Sequence, residues 1–469
     1  MPPSLSPAPW REDAAEAREP SFAPVFPTSL DWALLQWLCY RALTRPRVAV
    51  SVSAASIVLL VLVGAGAPNN NTLGMAFPLP LLGPMSALVS TTVTTAAVLL
   101  SGLGLVGLLG AHSSGWRPSP RRLLAAGVVT VAVITNLTPV GSSDTASYAA
   151  YGRIAALGRD PYVITPGQLG GDYAHLVSHT WLATASVYGP VATWLQAAAA
   201  QIGGHRPWLT VWLLMLANGA AFLATGYVLI RTAADPVRAG LLWVANPLLM
   251  VVLVAGGHLD TIVAALAVCA VHCARNYARP RDDLIVGVLV GLACSIKISA
   301  ALLGIALLWP LLRERAWGRV ARQGLSGAFV LAAGYSWYGM HALAPLSAAS
   351  HLVAMPSLWW LVQKLGQITI GPIGTSAAIG IVWPVLALAL AWLIHRRMSP
   401  KAPPSVAVFI ALTFAWILAA PWSMPWYSAV VWVMVALLPR CSMVRWLILT
   451  TTALALVHDS VGHDWSWLG

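Results

Sequence analysis

Charged side chains make up only 9% of this 469-residue sequence, while 58% of it is apolar and the mean hydropathy is +0.75. An ordinary globular domain carries about a quarter charged residues. A soluble reading would leave no polar surface to hold this much apolar sequence in water. Cysteine is scarce too: Cys39, Cys269, Cys273, Cys294 and Cys441 fall within apolar stretches or in the segments joining them, so no disulfide framework is expected. Lysine occurs three times against 24 arginines. Carboxylates number 15, and none occurs from Arg315 to His458. No cleavable signal peptide is evident at the N-terminus.

What is present is a succession of apolar stretches. Thirteen can be drawn, the first at 48–66 and the last at 446–458, several of them shorter than the ~20 residues a crossing helix needs. The expected fold is an all-α polytopic membrane protein of about 13 transmembrane helices. Its parts are a flexible cytoplasmic tail over 1–47, a membrane domain over 48–458 and a short outer tail over 459–469. The net charge of +12 does not point to nucleic acid, because the basic residues sit in short clusters between apolar stretches. Those clusters are the positive-inside signal. With the N-terminus inside, only Arg153, Arg159, Arg206, Lys297 and Lys364 of the 27 basic residues fall on the outer side.

This layout requires 188–203, only about sixteen residues long, to lie on or dip into the outer surface rather than cross. A large first outer loop, 141–206, and a second, 345–373, follow from it. Two glycine patterns have a packing explanation. GLGLVG within Ser101 to Gly107 lies inside an apolar span with no strand before it, and Gly287 with Gly291 forms a GxxxG. Cys269, His272 and Cys273 share one helical turn but have no partner cluster for a metal.

The charge map leaves six carboxylates near the outer face: Asp144, Asp160, Asp172, Asp260, Asp459 and Asp464. Asp144 follows a span by about four residues, and with Ser142 and Ser143 before ASYAAYGRIAAL it reads as a helix start. It is either a cap or solvated residue, or a catalytic base held just outside the bilayer. Asp260, after Gly256, Gly257 and His258 at a span boundary, is either a helix cap, a partner of a nearby cation, or functional. Lys297 interrupts two short apolar runs and can either snorkel or meet an anion such as a lipid phosphate. Trp422, Trp426 and Tyr427 in APWSMPWY belong either to an interfacial belt or to a sugar site.

Several of these residues together resemble a family. Asp144, Tyr148, Tyr151, Gly152, Arg153 and Asp160-Pro161-Tyr162 resemble the first outer loop of the actinobacterial polyprenol-phosphomannose-dependent α-1,6-mannosyltransferases. Tyr188-Gly189-Pro190 with Trp194, His258-Leu259-Asp260 and Pro425-Trp426-Tyr427 are similar to further elements of that family, in the same order. Leu259 stands where the family has Asn, and Thr145-Ala146 where a bulkier pair is usual.

The resemblance implies a C-type glycosyltransferase fold, with a large first outer loop bearing juxtamembrane helices and an active site outside the membrane. It implies Asp144 as the base, and a lipid-phosphate mannose donor with a glycolipid or mannan acceptor of lipomannan type. Tyr148, Arg153, Asp160, Tyr188, His258, Asp260, Lys297, Trp426 and Tyr427 are then expected to bind substrate or donor. No cofactor is expected, with a divalent ion left open. The rival readings are a secondary transporter built on short, Gly/Pro-interrupted spans over 239–312, and the same fold acting on another lipid-linked sugar.

Overall fold

The computed structural model describes residues 40–75, 81–276 and 279–458. Residues 1–39 of the tail expected over 1–47, and the whole of the tail expected over 459–469 with Asp459 and Asp464, lie outside them. The described residues are almost entirely helical, with only two isolated bridges, Gly66 to Leu82 and Thr72 to Val140. Every expected apolar stretch falls largely on helix, because such runs satisfy their backbone groups internally only in that form.

Among the described residues, five helices are long and apolar enough to cross a membrane: Pro46–Gly64, Ala87–Ser113, Pro207–Thr232, Pro236–Ala255 and Gly371–Arg397. Ile298–Arg313, Pro404–Ala419, Pro425–Leu437 and Met443–Val457 are shorter apolar helices. The chain is thus a helical membrane protein.

Proline marks the helix starts. It occupies the first turn of Pro46–Gly64, Pro120–Ile134, Pro190–Gly203, Pro207–Thr232, Pro280–Cys294 and Pro404–Ala419, where its missing N–H is an orphan in any case. The glycine-rich run in Ala87–Ser113 is a packing face: Gly102 lies against Thr452 and Gly104 against Ser53 of the neighbouring helix. Gly287 and Gly291 meet Gln323, Ser326 and Gly327 in the same way. Large exposed apolar side chains such as Phe329, Trp337, Ile368, Ile373 and Leu388 stud the later helices, as expected of surfaces that lipid would cover.

Residues 141–206 hold five short helices: Asp144–Ala156, Pro166–Leu169, Gly171–His175, His179–Leu182 and Pro190–Gly203. The last has 14 residues, about 21 Å, well short of the ~30 Å of a hydrocarbon core. It lies against Asp144–Ala156 with the two backbones close. A Cβ at Gly152 would run into the Gln196 carbonyl.

The helix over 236–255 is not continuous. It passes through Pro247 into a buried π-helical turn, Met250–Ala255. Such turns open the i→i+4 ladder. Here Ala255 O accepts the N–H of Val140 at 3.0 Å, and Leu253 O accepts both Asn218 Nδ2 at 2.9 Å and the N–H of His258 at 3.2 Å. The opened carbonyls tie the segment before Asp144 to the segment before His258.

Replacing Gly152 with Val should push the Pro190–Gly203 helix away and lower stability by about 1–3 kcal/mol, the usual range for overpacking. Thermal unfolding of the purified protein in detergent reads this directly, and an unchanged midpoint would contradict the close packing described.

Candidate active site

Asp144 is the first residue of its helix. Its N–H donates to Ser142 Oγ at 3.1 Å, but its carboxylate caps nothing. Tyr148, one turn on and therefore on the same face, donates its hydroxyl to Asp144 Oδ2 at 3.2 Å. Tyr188 donates to the Tyr148 oxygen at 3.4 Å, with the two rings edge to face at 5.0 Å. Burial first, and then the nearby Asp144 charge, raise both phenols well above the usual tyrosine range, so they stay protonated and available as donors.

His258 approaches from the other side, with Nδ1 3.3 Å from the same Oδ2. The contact lies off the hydrogen-bond line and leaves that buried nitrogen without a hydrogen-bond partner. Asp144 keeps 18% of its side chain exposed, against 1% for His258. Neither contact engages Oδ1.

Gly257 makes the approach possible. It has φ +66°, the left-handed region that costs glycine little. A Cβ there would also collide with Thr145 and Met215. The His258 ring is held flat against Trp426, with centroids 3.8 Å apart and planes 12° off parallel.

Asp260, two residues on, begins the helix Asp260–Asn276 but spends its carboxylate on a cation. Lys297 Nζ lies 2.8 Å from Oδ1 and 3.0 Å from Oδ2. The ammonium also sits 3.6 Å above the centre of the Tyr427 ring, an attractive cation–π arrangement. The break after Pro280–Cys294 that carries Lys297 is itself anchored. Ile296 O accepts the N–H of Gly189 at 3.1 Å, and Ser295 O accepts that of Val191 at 3.0 Å. The Tyr188-Gly189-Pro190 element is thereby hooked beside Lys297.

Asp144, Tyr148, Tyr188, His258, Asp260, Lys297, Trp426 and Tyr427 therefore form one cluster. Two expected members lie elsewhere. Arg153 stands nine residues from Asp144, about half a turn off its face, and its guanidinium lies 5.9 Å from the centre of the Tyr173 ring. Asp160 accepts the Tyr162 N–H at 2.8 Å and pairs with His341 Nε2 at 2.6 Å.

His341 is a residue the sequence reading missed, as are Trp416, stacked on Tyr427 at 5.3 Å, and Trp181, edge to face with Trp422 at 5.8 Å. No local spacing announces these partners. Below the cluster a crevice lined by Asp260, Leu303, Phe409, Thr413, Trp416 and Tyr427 follows the Asp260 helix as far as Ala267, about 10 Å. Among the described residues no group of three or more His, Cys, Asp or Glu could hold a metal ion.

The family model described as "Alpha-(1->6)-mannopyranosyltransferase, N-terminal domain" matches residues 48–313. Among curated proteins, the alpha-(1->6)-mannopyranosyltransferase A of Corynebacterium glutamicum is 22% identical over 329 residues, covering 62% of this chain and 66% of that protein. A probable alpha-(1->6)-mannopyranosyltransferase of Mycolicibacterium smegmatis is 25% identical over 397 residues, covering 72% and 69%. The alpha-(1->6)-mannopyranosyltransferase A of Mycobacterium tuberculosis is 26% identical over 375 residues, covering 71% and 69%. The matches thus span about two thirds of the length of these relatives. No solved structure matches the chain.

Breaking a buried ion pair by removing one partner strands the other charge and costs about 3–5 kcal/mol, whereas replacing both partners is far milder. Asp260→Asn should therefore lower the thermal midpoint sharply, and adding Lys297→Met should recover most of the loss. Strictly additive losses in that double-mutant cycle would show that the pair is not coupled.

Proposed function

The chain belongs to the alpha-(1->6)-mannopyranosyltransferase family, and from that premise we propose that it moves mannose from polyprenyl phosphomannose to a mannan-type acceptor outside the membrane. The acceptor is of lipomannan or lipoarabinomannan kind, the anomeric carbon is inverted, and the new link is α-1,6. One observation carries the reading. Asp144 offers an oxygen, Oδ1, that neither Tyr148 nor His258 engages, in the same cluster as a fixed ammonium.

Inversion needs one base on the acceptor side and charge stabilisation on the leaving phosphate. Asp144 Oδ1 accepts the proton of the acceptor hydroxyl as that oxygen bonds to the anomeric carbon. The bond from that carbon to the phosphate oxygen breaks, and its electron pair leaves with the phosphate. Lys297 faces the charge that develops there, and Asp260 holds the ammonium in place beforehand, so that no reorganisation is needed during reaction.

Tyr427, only partly buried, offers aromatic surface for the sugar with Trp426 packed behind it, and Tyr188 with Tyr148 fixes the orientation of the base. Arg153 and Asp160 have partners of their own, Tyr173 and His341.

The chain crosses the membrane thirteen times, with the N-terminus cytoplasmic and the Asp144 cluster extracytoplasmic. A cysteine at 172 should react with an impermeant thiol reagent in intact cells, and one at 235 should not. The reverse pattern would invert the topology.

The activity itself is read by supplying membranes with radiolabelled polyprenyl phosphomannose and a short mannoside. Asp144→Asn, at normal expression, should lower transfer by about 10²–10⁴-fold, the usual worth of a general base. Undiminished transfer would remove Asp144 as the base.

A further inference from the structure

A second group of charges lies at the far end of the Pro280–Cys294 helix from Lys297. Asp283 stands fourteen residues before Lys297, about 20 Å along the helix axis, and is only 2% exposed. Four hydrogen bonds reach its carboxylate, all from the helix Trp317–Tyr338. Arg319 Nε donates to Oδ1 at 3.0 Å, Arg322 Nε and Nη2 donate to Oδ2 at 3.1 and 2.8 Å, and Gln323 Nε2 donates to Oδ1 at 3.0 Å.

The carboxylate holds both guanidiniums without exhausting them. Among the described residues, Arg319 Nη1 and Nη2 and Arg322 Nη1 find no acceptor, and both side chains stay about one third exposed. Charge is unbalanced as well. The adjoining segments 279–283 and 313–322 carry six arginines against Asp282, Asp283 and Glu314. Asp282 is buried like Asp283, and accepts the Arg279 N–H at 3.1 Å. A guanidinium offers paired donors that match phosphate oxygens. Here Asp283 fixes two of them one turn apart before any ligand arrives, which lowers the cost of binding.

Beside the arginines the surface is apolar. Leu325 and Phe329 follow Arg322 by three and seven residues, on the same helix face, and are 71% and 72% exposed. Trp317, also exposed, opens the helix, a common place for an indole at headgroup depth. A small free anion would use the arginines and leave this apolar track bare, whereas a lipid uses both.

We infer that Arg319 and Arg322 bind the phosphate headgroup of an anionic phospholipid, whose acyl chain lies along Leu325 and Phe329. The site is remote from Asp144 and does not depend on the transfer reaction. Basic pockets between membrane helices on the cytoplasmic side hold such headgroups, and the topology proposed above puts this one on that side.

The test uses the full chain purified in detergent, with thermal unfolding and native mass spectrometry followed as phosphatidylglycerol, phosphatidylcholine or inorganic phosphate is added. Phosphatidylglycerol should raise the midpoint and stay bound, and neither of the others should reproduce the shift. Replacing both arginines, Arg319→Gln with Arg322→Gln, should weaken phosphatidylglycerol binding by about 10–100-fold, the usual worth of hydrogen bonds to a charged group. Arg396→Gln with Arg397→Gln removes the same charge from the end of another helix and should leave binding near the wild-type value.

The first double variant also strips Asp283 of two partners, so a measurement on the wild-type chain decides the matter if that variant does not fold. Phosphatidylglycerol with a photoreactive acyl chain should label the segment around Leu325 and Phe329. Equal effects of the two phospholipids, a shift reproduced in full by phosphate, or no label on that segment would overturn the inference. So would a folded Arg319→Gln, Arg322→Gln protein that binds as wild type, or equal losses in the two double variants.

Discussion

The Lys297 ammonium, held by both oxygens of Asp260 and covered by the Tyr427 ring, is the contact on which the rest of the site depends. In an apolar bundle an unpaired ammonium or carboxylate is too costly to keep, so each can persist only because the other is there. The pair fixes where the Asp260 helix begins and where the Pro280–Cys294 helix breaks. That break receives Gly189 and Val191, which brings Tyr188 onto Tyr148 and so onto Asp144. Tyr427 carries Trp426 with it, and Trp426 holds His258 flat beside the same aspartate. Residues far apart in the chain are brought together by very few polar contacts.

The backbone contributes as much as the charges. The π-helical turn Met250–Ala255 frees the carbonyls that tie Val140 and Asn218 to the segment before His258. Gly257, with a positive φ and no side chain, then lets Thr145 pass closely enough for Asp144 to meet His258. A straight helix over 236–260 would leave the two residues apart. The strain of an irregular backbone at this depth is tolerated because the turn is wholly buried in protein and its carbonyls find donors.

Much of this was legible in the residues themselves. Apolar runs announce helices because nothing else satisfies a backbone in lipid, and the scarcity of carboxylates narrows the choice to Asp144, Asp260 and a few others. The Asp144 to Tyr148 spacing of one turn is local, and so is the nine-residue spacing that turns Arg153 to the opposite face, although the family pattern alone placed Arg153 in the site. What could not be read is any pairing that depends on how helices pack. Lys297 lies 37 residues from Asp260, and His341 lies 181 from Asp160. The stacking of His258 on Trp426 also joins distant segments. The Asp260 and Lys297 alternatives left open by sequence resolve into each other: the cation Asp260 required and the anion Lys297 required are the same contact.

In the proposed reaction an acceptor hydroxyl and a lipid phosphate meet on opposite sides of one sugar at the cluster around Asp144. The measurement that tests it most directly is a structure of the protein with polyprenyl phosphomannose and a mannoside acceptor bound. The acceptor hydroxyl should lie within hydrogen-bond reach of Asp144 Oδ1, with the donor phosphate at Lys297. An acceptor hydroxyl placed instead beside Asp160 or Arg153, or a phosphate remote from Lys297, would contradict it.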